Sequence, residues 1–128
     1  MNEQEYKSAV LAANKAWLEE PLFRGTDYAL TFVFNDIDYS SATFSAQLRL
    51  TPDAAGAPIV SFTVGTATFS GGDTTVAFTL TDAQTDALPA AAETGKTLRL
   101  YGDFKITVGG LVDRIAAGVF PIIPKVTA

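Results

Sequence analysis

The stretch that decides the fold is RGTDYALTFVFNDIDYSSATFSAQLRL, Arg24 to Leu50. Leu30, Phe32 and Phe34 recur at every second position. After the short acidic turn Asn35-Asp36-Ile37-Asp38, so do Ala42, Phe44, Ala46, Leu48 and Leu50. Successive side chains of a β-strand point to opposite faces, so a period of two is what a half-buried antiparallel strand requires. Two such segments joined by a turn indicate a β-hairpin core.

Toward the C-terminus the same alternation returns between turn signals. Thr51–Pro58 holds two prolines and a glycine among small residues and reads as a loop. Ile59–Val64 is a strand with Val60, Phe62 and Val64 on one face, and Thr66–Ser70 places Ala67 and Phe69 together. Gly71-Gly72-Asp73 is a hairpin turn, because glycine takes positive φ without steric cost. Thr74–Leu80 then turns Val76, Phe78 and Leu80 inward. Thr81–Leu88 breaks the pattern with a single helical turn, capped by Thr81 or Asp82 and stopped by Pro89. Ala90–Gly95 is expected to cross between sheets. Thr97–Thr107 is the longest late strand, with Gly102 marking a bulge, and Gly109-Gly110 turns it into Val112–Phe120. Pro121 and Pro124 end regular structure ahead of a short exposed tail. About seven strands with turn signals every ~8–12 residues are the signature of an antiparallel sandwich.

Toward the N-terminus the period changes. Asn2–Glu20 is predicted as a helix, with Asn2 and Glu5 forming a capping box and Pro21 ending it. Tyr6, Val10, Ala13 and Trp17 follow i, i+4, i+7, i+11 spacing, and Leu18 and Leu11 broaden the stripe. A lone helix of this length is marginal in water, so the stripe must dock, on its own sandwich or on a neighbouring subunit. Tyr6, Val10, Ala13, Trp17 and Leu18 are the candidate partner-binding residues. The expected organisation is a helix over residues 1–20, a linker at 21–25 and a β-sandwich over 26–128.

The 128 residues fit one domain, and nine phenylalanines and one tryptophan supply most of its core. A net charge of −5 argues against a nucleic-acid partner, whose phosphates demand a basic face. The chain has neither cysteine nor histidine, which removes the thiolate nucleophile, the commonest general base and the usual transition-metal ligands. No run reaches the ~18 apolar residues of a membrane span, and the N-terminus lacks the basic-then-apolar order of a signal peptide. The chain reads as made in the cytoplasm and used in soluble form.

Candidate chemistry is sparse. Asp36 and Asp38 offer oxygens to a cation, but the spacing is not that of an EF-hand loop, and turn formation accounts for both. The Gly-Gly pairs do not precede helices and are not phosphate cradles. Serine and threonine hydroxyls lack a motif that pairs one with a base. No enzyme activity, metal or cofactor is expected. Tyr28, Tyr39 and Tyr101 are either corner residues with buried rings or a sugar- or partner-binding surface.

The order Arg24-Gly25-Thr26-Asp27, an alternating strand, then Ala42–Leu50 resembles a small domain of tailed-phage structural proteins. The likeness continues through the proline/glycine loop, Thr74–Leu80, Thr81–Pro89, Asp103-Phe104-Lys105-Ile106, the Gly109-Gly110 turn, Gly118-Val119 and Pro124-Lys125-Val126-Thr127. Spanning roughly Arg24 to Thr127, it is closest to the immunoglobulin-like N-terminal domain of upper baseplate proteins, which attach receptor-binding parts to a tail. The resemblance implies an immunoglobulin-like fold and a non-enzymatic virion component of the tail, baseplate or fibre attachment. Such a protein would be made in the host bacterial cytoplasm and assemble as a homo-oligomer with other virion proteins. A head-decoration protein and a carbohydrate-binding module are the alternatives.

Overall fold

A computed structural model of the chain describes residues 1–52, 56–89 and 98–123. The expected crossing at Ala90–Gly95 and the tail from Pro124 lie outside these residues. Helix α1 spans Glu3–Ala12, and β1 (Ala16–Glu19) and β2 (Leu22–Phe23) follow it. Next come β3 (Tyr28–Phe34), β4 (Thr43–Arg49), β5 (Val60–Ser61), β6 (Thr63–Val64), β7 (Thr68–Ser70) and β8 (Asp73–Leu80). The short helix α2 (Asp82–Asp86) leads to β9 (Leu98–Val108) and β10 (Leu111–Ile123). The protein is mainly β, and its two sheets form a sandwich-like body. One sheet runs β1-β10-β9-β4-β5, with β2 also on β10; the other runs β3-β8-β6, with β7 also on β8.

The inner faces are those the alternation predicts. Phe44, Ala46 and Leu48 of β4 and Val76, Phe78 and Leu80 of β8 are buried, and they meet Leu100, Phe104, Ile106 and Phe120 from β9 and β10 in one cluster. The opening pair of strands is not a hairpin, however. β3 pairs with β8 and β4 with β9, so the two stand in opposite sheets, their Phe34 and Phe44 rings 5.9 Å apart across the core. The Asn35–Ala42 connection exceeds the two to five residues usual in a hairpin and is long enough to cross the ~10 Å between sheets.

The run expected as one strand at Ile59–Val64 also divides. Val60–Ser61 pairs with β4 and Thr63–Val64 with β8, so the chain changes sheets at Phe62, whose ring stays in the core. Strands that switch sheets are how a sandwich makes a corner. Pro121 does not end β10, which continues to Ile123. By the parallel register Pro21 stands opposite Pro121, at the break between β1 and β2, where a missing N–H costs least. The bulge falls between Arg114 and Ala116 rather than at Gly102. Gly102 keeps regular register with Gly118 and Leu48, and a Cβ there would overlap the Phe120 ring.

The N-terminal helix is shorter than the spacing predicts. Its capping box is present, with the Glu5 N–H donating to Asn2 Oδ1 at 2.8 Å and the Asn2 N–H to Glu5 Oε1 at 3.1 Å. It ends where Asn14 takes φ 59° and the Lys15 N–H closes onto the Val10 carbonyl, since asparagine tolerates the left-handed conformation. Beyond it Ala16–Glu19 pairs in parallel with Ala116–Val119, and this ladder outweighs the helical preference of an Ala-, Leu- and Glu-rich segment. The expected linker is structural as well: Leu22 is fully buried, and the Gly25 N–H donates to Thr85 Oγ1 at 3.1 Å.

Gly118 sits where β1 approaches β10 most closely, and a Cβ there would overlap the Leu18 carbonyl. Gly118→Val should therefore displace β1 and lower stability by about 1–3 kcal/mol, the usual cost of overpacking. The midpoint and slope of urea unfolding measure it.

Candidate functional site

The five residues predicted as a docking stripe divide among three environments. Tyr6 and Val10 are buried against Ala117 on the outer face of β10, with Trp17 and Tyr101 half-buried around them. Tyr6 Oη donates to the Gly102 carbonyl at 3.0 Å, and its ring meets Trp17 edge-on at 5.5 Å and Tyr101 at 6.3 Å. Trp17 lies on a strand, yet it still reaches Tyr6, because β1 presents it on the face that the helix covers. Leu18 points the other way and packs on the main core, while Ala13 is exposed beyond the helix end. The stripe thus docks on its own sandwich, and Tyr6 and Val10 have no surface left for another chain.

Charge holds this helix down. Arg99 grips Glu3 through two hydrogen bonds of 2.8 and 2.9 Å, and Tyr101 Oη donates to Glu3 at 3.1 Å. The Arg99 hydrogen bonds hold the Glu3 carboxyl below its ordinary pKa, against a smaller opposing effect of burial. Arg114 chelates Asp103 and lies 5.4 Å over the Tyr6 ring. Burial pushes the Tyr6 phenol up to about 12, so it remains a donor across the working pH range.

The three other tyrosines do not share a surface. Tyr28 packs on Phe62 and Phe120, Tyr39 meets Phe34 edge-on at 5.2 Å, and Tyr101 lies beneath the helix. Each ring packs on other aromatic residues but is only half-buried, and Tyr101 lies on a sheet face rather than at a corner, so the corner reading holds for ring packing alone.

Exposed apolar side chains gather at one end of the sandwich, where three connections meet: Asn35–Ala42, the Gly71-Gly72 turn and the Gly109-Gly110 hairpin. Gly109 and Gly110 take φ of 57° and 82°, the conformation a tight hairpin turn needs. This turn carries Val108 and Leu111 past the end of the core. Leu111 is 78% and Val112 63% exposed, and Val108, Ile37 and Phe69 are also exposed at this end. Tyr39, Ile106, Val108, Leu111, Val112 and Asp113 line a groove of about 560 Å³ there.

Beside the groove, hydrogen bonds pin the Asn35–Ala42 connection, which carries two aspartates. Thr74, fully buried, donates from its hydroxyl to the Ile37 carbonyl at 2.6 Å and accepts from the Tyr39 N–H at 2.8 Å. Asp73 accepts from the Asp36 N–H at 3.1 Å, and Asp36 itself takes φ 60°. Asp38 accepts from both the hydroxyl and the backbone N–H of Ser40, which lowers its pKa. The aspartates that suggested a cation site are therefore engaged in shaping the turn. No group of three or more potential metal-ligating side chains occurs among the described residues. Asp113, which lines the groove, pairs with Lys15 at 2.8 Å.

Sequence reasoning missed this end. Its signal was present in Val108-Gly109-Gly110-Leu111-Val112, a tight turn flanked by apolar residues where hairpin tips are ordinarily polar. The chain matches no protein-family model and no curated protein.

Protonation of Glu3 supplies a check on the helix clamp. Its carboxylate has a depressed pKa in the folded state, so its contribution is complete above the ordinary value of 4.5 and is lost as pH falls through the lowered one. Glu3→Gln should lower the thermal midpoint at pH 7. The difference from wild type should shrink toward zero in acid below pH 4.5, as melting curves at both pH values would record.

Proposed function

We propose that this protein is a non-enzymatic structural component of a tailed-phage virion, built as an immunoglobulin-like domain and acting at the tail, baseplate or fibre attachment. The observation that carries the reading is the exposed apolar hairpin end, with aspartates on the connection beside it. Singly exposed apolar residues are ordinary, but clustered ones rimmed by charge mark interaction sites. Strand order supports the fold: β10-β9-β4-β5 corresponds to the G-F-C-C′ order of immunoglobulin domains, and β3-β8-β6 to B-E-D. In that correspondence the Asn35–Ala42 connection and the β9–β10 hairpin take the places of the B–C and F–G loops, which carry recognition in variable domains.

The mechanism is assembly. Leu111 and Val112 enter an apolar pocket on another virion protein, and the nearby aspartates select a partner with basic residues around that pocket. Copies related by the particle's symmetry repeat the contact.

The test has two parts. Antibody labelling of purified phage particles from cells that make this chain should mark the tail; labelling on the head would favour decoration, and its absence from particles overturns the proposal. Leu111→Asp with Val112→Asp should leave the circular dichroism spectrum unchanged, because neither side chain is buried. The same double variant should cut incorporation into particles about tenfold or more, the loss of one hot-spot contact.

A further inference from the structure

Strand β3 is the edge of its sheet: its one partner among the described residues is β8. Its sequence, Tyr-Ala-Leu-Thr-Phe-Val-Phe, is seven residues long and uncharged. It lacks the lysine, proline or bulge with which exposed edges are ordinarily protected from pairing. Its inner face is also incompletely covered. Tyr28, Leu30, Phe32 and Phe34 are each half-buried, whereas Thr74, Val76, Phe78 and Leu80 beside them on β8 are fully buried. A further strand beside β3 would complete that cover.

We propose that the strand that fills this place is β3 of a second copy of the chain, paired antiparallel across a two-fold axis. Three observations select this occupant. The other outer strands among the described residues, β1, β2, β5, β6 and β7, are only two to four residues long, so head-to-tail joining offers β3 no partner of its own length. A two-fold axis perpendicular to the sheet keeps inner faces together, which requires inner residues to oppose inner residues and places the axis on a residue. Full overlap puts that axis at Thr31.

The register then pairs Tyr28 with Phe34 and Leu30 with Phe32 of the other copy inside, and Ala29 with Val33 and Thr31 with Thr31 outside. Aromatic, aliphatic and Thr–Thr pairs of this kind stabilise antiparallel strands, and no like charges are opposed within the strand. The result is one continuous sheet through both sandwiches, with the apolar core running across the junction. The contact involves copies of this chain alone and stands apart from the hairpin end.

The symmetry axis makes Thr31 the diagnostic position. Thr31 is exposed on the outer face, so its substitution spares the core. Thr31→Lys places two ammonium groups opposite one another at the axis. Size-exclusion chromatography with light scattering should show a dimer for the wild-type protein and its loss in T31K, with an unchanged circular dichroism spectrum.

Thr31→Cys introduces the chain's first cysteine. Its Cα lies about 4.5–5.5 Å from its symmetry mate in such a pairing, within disulfide reach. Mild oxidation should cross-link T31C to a covalent dimer. The control Thr75→Cys, on the outer face of β8, should remain monomeric on a denaturing gel. A wild-type protein that stays monomeric as concentration rises overturns the proposal. So does a dimer that T31K leaves intact, or one in which T31C fails to cross-link. None of these outcomes bears on the hairpin end, whose partner is a different protein.

Discussion

The structure depends on the burial of one ring. Phe104 is fully buried in β9, and its ring lies within 5.2–6.0 Å of four others: Phe78, Phe62, Phe32 and Phe120. Two of these come from the opposite sheet, one from the neighbouring strand, and one from the point where the chain changes sheets. A sandwich is held by what its two inner faces share, and here they share Phe104. A fully buried phenylalanine contributes about 1.5–3 kcal/mol from area alone, and edge-to-face contacts add to it. Other features follow from making room for this cluster. Gly102 must remain without a side chain because the Phe120 ring lies over it, and Phe62 must sit at a corner to reach both sheets.

A second, smaller cluster decides what the N-terminus does. Ala117 turns outward from β10, and Tyr6, Val10 and Trp17 cover it. The helix therefore caps the outer face of a sheet whose inner face is already packed. Arg99 fastens the helix through charge-assisted hydrogen bonds to Glu3, while Arg114, held by Asp103 of the next strand, lies over the Tyr6 ring. Partly exposed pairs of this kind position more than they stabilise. The helix buries Tyr6 and Val10 of the stripe that first suggested an interface, so the proposed contacts lie elsewhere, at the hairpin end and along the β3 edge.

These two surfaces differ in kind. The hairpin end offers side chains: an apolar groove beside a connection pinned by the Thr74 hydrogen bonds, with aspartates nearby. The β3 edge offers backbone groups with a matching row of apolar side chains. Recognition by side chains selects a partner of particular shape, whereas recognition by an edge asks only for a strand of suitable length and pattern.

Local patterns were legible in the residues themselves. The period of two identified the inner faces of β3, β4, β8 and β9. The Asn2–Glu5 capping box and a cap at Thr81 or Asp82 marked helix starts, and the Gly-Gly pairs marked turns. Each of these rests on interactions within a few residues, so a short window of sequence contains its cause. Partner choice does not. An alternating segment reads the same whichever strand lies beside it, so β3 and β4 looked like a hairpin until Phe34 and Phe44 met across the core. The helical spacing from Tyr6 to Trp17 likewise ran on past the true end at Asn14, since the ladder that claims Ala16–Glu19 comes from residues about a hundred positions away. Sequence determined which side chains face inward; only tertiary contact decided which strands are neighbours, where the helix yields to a strand, and which edge and which turn remain uncovered.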